Sequence, residues 1–351
     1  MNCVTEDKIT CFSKMMNASS RVCIVSHIHP DGDAVGSVTA MWSYLREKRG
    51  RDAVTVLPHI PQSQLGFISS RSPLVTDEES HEGAISEIKK SDLLICLDFN
   101  DLSRSGELEA CLKEFTGPKI LIDHHLNPGE KDFDLCFSKT DTSSTCELLF
   151  EILMSMEDIG QDASRLPALC AEALMTGMTT DTNNFANSVF PSTLRMASSL
   201  LASGVDRDGI LCHLYNEYRE NRVRAMSYLL GKMVITDNGV AYMILTSGEK
   251  TSLDLREGET EAFVNIPLSI DRVRMSVFIR EDNGFFRVSV RSKKGTSANS
   301  FAKRYFHGGG HEQAAGGRLL IPEDIAGPGM AAQYIEKSAA RFMNESAGVQ
   351  F

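Results

Sequence analysis

The fold of the first half of this chain is decided by residues 21–50, RVCIVSHIHPDGDAVGSVTAMWSYLREKRG. The segment consists of a short apolar run, a loop that carries His27, Asp31 and Asp33, and a stretch with helical apolar spacing. Three further apolar runs of the same kind follow, at 52–58, 91–99 and 118–125. Strands that are buried on both faces of a parallel sheet read as continuous apolar runs, so the pattern predicts an α/β fold.

The second half has a different pattern. Helical spacing predominates from 191 to 232, which we interpret as a helical linker. The spacing then changes to period two, and Asp282-Asn283-Gly284 is a strong hairpin signal ahead of a helical segment at 297–306. We therefore expect a catalytic domain with a parallel sheet, a linker and a smaller α+β domain, at 1–190, 191–232 and 233–345.

Composition limits the class of protein. A chain of 351 residues, 42% of them hydrophobic, is long enough to fill two cores. No charged start precedes a long apolar run, and no stretch approaches the roughly 18 to 20 apolar residues that span a bilayer. The nine cysteines form no Cys-x-x-Cys pair, so neither a zinc ribbon nor a disulfide framework is indicated. We expect a cytoplasmic protein without a membrane partner.

Charge is unevenly distributed along the chain. The formal net charge of -11 argues against long duplex DNA as a partner, because non-specific affinity for DNA comes from Lys and Arg side chains. From Arg272 to Arg304, however, nine basic residues stand against two acidic ones, a local net charge of +7. A solvated surface explains such a stretch as well as an anion-binding surface does.

Acids and histidines follow three predicted strands and one predicted helix. They are His27, Asp31, Asp33, Asp98, Asp123, His124, His125 and Asp181. The carboxyl ends of parallel strands meet at one edge of a sheet, so these side chains should converge. A capped helix start would by itself explain Asp31 or Asp33. Four carboxylates at close range nevertheless repel one another strongly, and cations remove that repulsion.

The types of ligand indicate which metal. Carboxylates and imidazoles without thiolates favour Mn²⁺, with Mg²⁺ or Fe²⁺ as alternatives, over structural zinc. Two such ions about 3.5 to 4 Å apart, bridged by one carboxylate, activate a water molecule and bind a phosphoryl oxygen. The sequence therefore predicts a two-metal centre that hydrolyses phosphate esters or anhydrides.

Two motifs now carry a resemblance to a known family. His27-x-x-x-Asp31-x-Asp33, Asp98 and Asp123-His124-His125 resemble the signature of the DHH phosphoesterase superfamily, which is named for that tripeptide. The segment GGGHEQAAG at 308–316 resembles the G-G-G-H-x-x-A-A-G signature of the DHH-associated substrate domain. The resemblance covers nearly the whole chain and implies an active-site cleft between the two domains.

The resemblance also implies roles for single residues in the metal domain. One metal would be held by His27, Asp31 and Asp98, and the other by Asp33, Asp98, His124 and Asp181. Asp123 would orient His124, and His125 would face the scissile phosphate, where it stabilises charge or protonates the leaving oxygen. We leave His29 out of the ligand set, with a structural and a substrate-side role equally open.

Substrate-binding residues are implied mainly in the second domain. Arg291-Ser292 resembles the Arg-Ser pair that family members use on a nucleotide, and Asn299 stands where they place a polar contact. Gly308, Gly309 and Gly310 would bring backbone N–H groups to a phosphate at a predicted helix start, and His311 would add a charge or a hydrogen bond. Arg104 either reaches the phosphate from the metal domain or lies in an exposed loop without a role.

Within the superfamily, the compact nanoRNase and pAp phosphatase type fits best. RecJ-type exonucleases carry a further nucleic-acid-binding module, and family II pyrophosphatases lack the triglycine signature. We expect hydrolysis of short single-stranded RNA to 5'-mononucleotides and of 3'-phosphoadenosine 5'-phosphate (pAp) to AMP and phosphate; a homodimer is compatible with this. The alternatives are a linear or cyclic dinucleotide phosphodiesterase, an exopolyphosphatase or pyrophosphatase, and a non-catalytic nucleotide-binding regulator.

Overall fold

The computed structural model describes residues 3–256, 258–310 and 312–347, with the backbone alone at 346 and 347. The chain divides into two compact units, Met1–Glu217 and Tyr218–Phe351. This division falls inside the segment expected to be a linker. Met196 and Leu200 belong to the main hydrophobic core of the first unit, whereas Ala225 and Leu229 belong to a core of the second.

The first unit alternates strands and helices. Its elements are α1 (Glu6–Ala18), β1 (Arg21–Val25), α2 (Gly32–Ser43), β2 (Asp52–Leu57), α3 (Gly66–Ser69), β3 (Leu74–Thr76), α4 (His81–Lys90), β4 (Leu93–Leu97), α5 (Glu109–Glu114), β5 (Lys119–Asp123), β6 (Leu135–Ser138), α6 (Thr145–Met154), α7 (Ala168–Asp181), α8 (Pro191–Ala202) and α9 (Arg207–Leu211). The side chains of Thr5, Ser80 and Ser144 each accept a backbone N–H and so begin α1, α4 and α6.

The strands form a parallel sheet in the order β3-β2-β1-β4-β5-β6, which confirms the predicted α/β class. The chain winds outward from β1 to β3, then returns to place β4 on the other side of β1. In an open parallel sheet, the carboxyl ends of the strands at such a reversal border a crevice in which ligands bind. The loop after β1 and the residue after β4 carry predicted metal ligands.

Helices α2 and α7 pack against each other with their backbones in close contact. A Cβ atom on Gly36 would lie 2.6 Å from the carbonyl oxygen of Ala173, and one on Gly177 would lie 2.9 Å from Oδ1 of Asp33. Only glycine therefore fits at these two positions. The close approach brings Asp33, in the first turn of α2, against α7.

The second unit is built on a mostly antiparallel sheet. Its elements are α10 (Glu220–Gly231), β7 (Val234–Ile235), β8 (Val240–Leu245), α11 (Ser247–Ser252), β9 (Met275–Asp282), β10 (Phe285–Ser292), α12 (Ala298–Tyr305), β11 (Gly309–Gly310), β12 (Ala314–Leu320) and α13 (Ala331–Ala347). The strand order is β11-β12-β10-β9-β8-β7, and β8 pairs with β9 in parallel.

Two sequence predictions can be compared with this sheet. The hairpin is confirmed: β9 and β10 pair antiparallel across Asn283 and Gly284, and Gly284 has a φ of 78°. The predicted helix start at the triglycine is wrong, because Gly309 and Gly310 form β11, which pairs with Gly316 and Ala315 of β12. Across the part of the chain that the structure describes, no helix has the length and apolar character needed to cross a membrane.

Candidate metal centre

The loop between β1 and α2 carries the first predicted ligands. His27 is buried, and its Nδ1 lies 2.7 Å from the carbonyl oxygen of Ile28. A carbonyl can only accept, so Nδ1 carries a proton, and Nε2 is the ring nitrogen left to face a metal ion. That Nε2 lies 3.3 Å from Oδ2 of Asp98 and 4.0 Å from Oδ1 of Asp31. The imidazole is thus fixed with a ligand nitrogen facing two carboxylates.

Asp31 begins α2. Its Oδ1 accepts the backbone N–H groups of Asp33 and Ala34 at 3.0 and 3.1 Å. The alternative interpretation from the sequence, a capped helix start, is therefore present in the structure. Capping does not exclude metal binding, because a carboxylate has two oxygens and several lone pairs.

Asp98 lies between two groups of ligands. It is buried directly after β4, and its Oδ2 faces His27 while its Oδ1 lies 3.6 Å from Nε2 of His124. Its φ of 65° falls in the left-handed region, which few residues other than glycine adopt. Backbone strain of this kind is concentrated at functional sites.

The second group joins three elements. Asp33 lies in α2, His124 follows β5, and Asp181 is the last residue of α7. Nε2 of His124 lies 3.5 Å from Oδ2 of Asp181 and 4.0 Å from Oδ2 of Asp33. The carboxylate of Asp181 stands at the negative end of the α7 dipole, where a cation is favourable.

Three sets of side chains among the described residues could hold a metal ion, each with ligand atoms within 4.8 Å of one another. They are His27, Asp31 and Asp98; Asp33, His124 and Asp181; and Asp98, His124 and His125. The structure therefore brings all six predicted ligands together around Asp98. It also brings in His125, which the sequence interpretation left out of the ligand set.

The electrostatics of these side chains fit divalent cations. Burial, together with the charges of Asp98 and Asp181, raises the pKa of Asp33 well above its usual range. Burial and the charges of Asp31 and Asp98 do the same to the pKa of Asp181. Burial lowers the pKa of His124, which keeps the ring in the neutral form that binds metals. Oxygen and imidazole donors without thiolate suit the ions predicted from the sequence.

Asp123 has a different partner from the one expected. Its Oδ1 lies 2.7 Å from Nδ1 of His125, and its Oδ2 accepts the backbone N–H of His125 at 3.1 Å. Asp123 therefore orients His125, and its expected role in orienting His124 stays a prediction. On the far side of the ring, the guanidinium of Arg104 lies 3.1 Å from Nε2 of His125. Arg104 thus lies beside the candidate metal centre of the first unit.

The predicted substrate residues of the second unit are held within that unit. Arg291 donates to the carbonyl oxygens of Val290 and Ala315 at 3.0 and 3.4 Å, and burial lowers its pKa. The Ser292 hydroxyl donates to the carbonyl oxygen of Thr296 at 2.6 Å. Both side chains therefore have structural contacts of their own.

The glycine motif is packed closely. A Cβ atom on Gly308 would lie 1.9 Å from the carbonyl oxygen of Gly316, so the glycine is required by packing alone. Asn299 Oδ1 accepts the backbone N–H of Gly310 at 3.2 Å, which ties α12 to β11. His311 lies outside the described residues.

Sequence reasoning missed Thr145 and Cys146. Their backbone N–H groups donate to Oδ2 and Oδ1 of Asp33 at 2.6 and 2.9 Å, and the Thr145 hydroxyl donates to Oδ1 of Asp98 at 2.9 Å. The only signal in the sequence is the capping pattern Ser143-Ser144-Thr145 ahead of an apolar helix. That pattern marks the start of α6 but not what it contacts.

Comparison with known proteins agrees with this geometry. Residues 21–178 match the DHH family, N-terminal domain, and residues 237–326 match the DHHA1 domain. The chain belongs to the DHH family of phosphoesterases, and this membership supports a hydrolytic enzyme.

Particular relatives can be named. The chain is 27% identical over 299 residues to the bifunctional oligoribonuclease and PAP phosphatase NrnA of Bacillus subtilis, covering 84% of this chain and 87% of that one. It is 28% identical over 319 residues to a probable bifunctional oligoribonuclease and PAP phosphatase NrnA of Streptococcus mutans, covering 88% and 94%. The crystal structure of an exopolyphosphatase-related protein from Bacteroides fragilis matches with a TM-score of 0.91 at 33% identity, covering 99% of both chains.

Proposed function

We propose that this chain hydrolyses short oligoribonucleotides to 5'-mononucleotides and pAp to AMP and phosphate, using two divalent ions, with Mn²⁺ as the first choice. The observation that carries the proposal is the convergence of six ligands around Asp98, whose two oxygens face different groups. The substrates are proposed from the relatives named as oligoribonuclease and PAP phosphatase.

The distances support one assignment of ligands. His27, Asp31 and Asp98 would hold one ion, and Asp33, His124 and Asp181 would hold the other together with Asp98. Two divalent ions in such a centre supply an activated water and offset negative charge on phosphoryl oxygens.

His125 and Arg104 would act on the phosphate directly. A guanidinium can only donate, so Nε2 of His125 accepts from Arg104, and Nδ1 carries the proton that is shared with Asp123. A bound phosphate would compete for the donors of Arg104. Nε2 would then be released, and after taking up a proton from water it would donate that proton to the leaving oxygen, while Asp123 keeps the ring in place.

In the second unit, we propose that Arg291, the side-chain nitrogen of Asn299 and the backbone of Gly309 contact the nucleotide, while the backbone N–H of Gly310 bonds to Asn299 Oδ1. The net charge of +7 between Arg272 and Arg304 supports an anionic ligand for this unit. The internal contacts of Ser292 and Gly308 leave these two residues better explained by the fold.

A substrate panel tests the proposal. Purified protein with Mn²⁺ is incubated with pAp, di- to pentaribonucleotides, linear and cyclic dinucleotides, pyrophosphate and polyphosphate. We expect phosphate from pAp and 5'-mononucleotides from the short RNAs. If both stay intact while pyrophosphate or polyphosphate is split, the substrate assignment is wrong. If no member is hydrolysed although a nucleotide binds, the chain is a binding protein and not an enzyme.

A further inference from the structure

The start of α6 lies directly on two of the proposed metal ligands. Each oxygen of Asp33 accepts one backbone N–H from the first turn of this helix, from Thr145 at 2.6 Å and from Cys146 at 2.9 Å. Thr145, Cys146 and Asp33 are all buried. The geometry leaves the Asp33 carboxylate little rotational freedom, because both of its oxygens are held by a rigid element.

The side chain of Thr145 makes a second contact, to Asp98. Its hydroxyl donates to Oδ1 at 2.9 Å. This is the oxygen that faces His124, whereas Oδ2 is the oxygen that faces His27. The hydroxyl therefore fixes which oxygen of Asp98 is turned toward which group of ligands.

Thr145 is itself held by a buried network. Ser144 caps α6 by accepting the backbone N–H of Glu147 at 3.0 Å. Oε2 of Glu147 accepts the backbone N–H of Ser143 at 3.0 Å and the hydroxyl of Thr193, in α8, at 2.6 Å. Glu147 is fully buried. A buried carboxylate is costly unless it is hydrogen-bonded, and here its bonds join the loop before α6 to α8.

We propose that Thr145 is a positioning residue of the metal centre: its hydroxyl sets the orientation of the Asp98 carboxylate so that each oxygen faces one of the two groups of proposed ligands. The inference rests on the proposed function, because it requires two ions at the site. Thr145 is assigned no contact with substrate or with the ions.

Replacing Thr145 by valine removes the hydroxyl and so measures its contribution alone. Valine keeps the volume and the backbone N–H that holds Asp33, so only the bond to Asp98 is removed. A buried carboxylate oxygen that loses a donor is left poorly satisfied. Loss of such a bond behind a metal ligand weakens metal binding by about 10- to 100-fold. We expect that loss in one of two Mn²⁺ binding steps, since only Oδ1 is released.

The experiment is calorimetric titration of Mn²⁺ into metal-free protein, without substrate. Thr145→Val is compared with Thr145→Ser, which keeps the hydroxyl, and with Thr176→Val. Thr176 is a matched control because it is fully buried in α7 and its hydroxyl donates only to the carbonyl oxygen of Glu172, at 2.9 Å. Thermal denaturation of each metal-free variant reports whether it folds.

The outcomes separate the inference from the proposed function. A weakened step in Thr145→Val, with near wild-type affinity in Thr145→Ser and Thr176→Val, supports the inference. Wild-type affinity in Thr145→Val, or equal losses in Thr145→Val and Thr176→Val, overturns it. If Thr145→Val does not fold, Thr145→Ser decides: a loss as large as 10-fold with the hydroxyl present contradicts the inference, and retained affinity supports it. Wild-type protein that binds no Mn²⁺ refutes the two-metal proposal itself.

Discussion

Oδ1 of Asp123 lies 2.7 Å from Nδ1 of His125, and the guanidinium of Arg104 lies 3.1 Å from the other ring nitrogen. The His125 ring is therefore held between an anion and a cation. Of the two histidines in the Asp-His-His tripeptide, His124 contacts the carboxylates of the proposed second metal group. In the proposed function, the two histidines of the tripeptide are thus divided between metal binding, by His124, and contact with the phosphate, by His125.

Asp123→Asn tests this division. Asparagine preserves the shape but removes the charged acceptor for Nδ1–H, so we expect kcat to fall about 10- to 100-fold. Mn²⁺ affinity should change little, because both oxygens of Asp123 bond to His125, which is not one of the six proposed ligands. Steady-state kinetics and Mn²⁺ titration of the same variant measure both effects. A parallel loss of Mn²⁺ affinity would instead place His125 among the metal ligands, as the third candidate set allows.

Asp98→Ala tests whether Asp98 is a ligand of both ions. Loss of the shared ligand should lower kcat by about 10³-fold, since the ions supply several kcal/mol of charge stabilisation. Bound Mn²⁺, measured by atomic emission, should fall below two per chain. Asp98→Asn is the companion variant, because asparagine accepts the left-handed backbone that alanine strains against. Asp208→Asn, at an exposed position in α9, should leave both quantities unchanged.

Arg291→Ala tests the proposed nucleotide contact. We expect KM for pAp to rise about 10-fold or more, because a hydrogen bond to a charged group contributes about 1.5 to 3 kcal/mol. The effect on kcat should be small. Arg272→Ala removes an exposed arginine from the same basic stretch and controls for lost net charge. If both variants have the KM of the wild type, Arg291 does not contact the substrate.

Alanine substitutions at two glycines of the triglycine distinguish a role in packing from a role in substrate binding. A Cβ on Gly308 meets a carbonyl oxygen at 1.9 Å, whereas a Cβ on Gly309 meets its nearest atom, Cε of Lys303, at 3.5 Å. Gly308→Ala should destabilise the protein by about 1 to 3 kcal/mol in chemical denaturation. Gly309→Ala should have the same free energy of unfolding as the wild type, so any rise in its KM would come from weaker substrate binding. A Gly308→Ala protein of wild-type stability would contradict the packing explanation.

The sequence predicted β1, β2, β4 and β5 of the first sheet and β8, β9 and β10 of the second, because the apolar pattern of these strands is strong. It did not predict β12, which contains the end of the glycine motif. It did not predict β3 or β6, which are edge strands of only three and four residues. It also missed α1. Short edge strands carry few apolar residues, and pairing with β2 or β5 specifies them more than their own composition does.

The six proposed ligands were found from residue type and from their position at strand ends. The hydrogen bonds that hold these ligands in place were not predicted. Thr145 and Asp33 are separated by 112 positions, and no local pattern reports such a contact. The contact of Asp123 with His125 could have been predicted from the sequence. In an extended chain, residues two positions apart lie on the same side, and adjacent residues lie on opposite sides. By that rule, Asp123 shares a side with His125 and not with His124.

All six proposed ligands lie in the first unit. They are far apart in the sequence and come together only when β1, β4, β5 and α7 have folded into their places. An ion that binds this arrangement binds the folded first unit and not its unfolded chain. Free Mn²⁺ at about 100 times its dissociation constant would therefore add about 2.7 kcal/mol to the free energy of unfolding of that unit for each site filled. None of the six proposed ligands lies in the second unit, so a chelator should lower the melting temperature of the first unit.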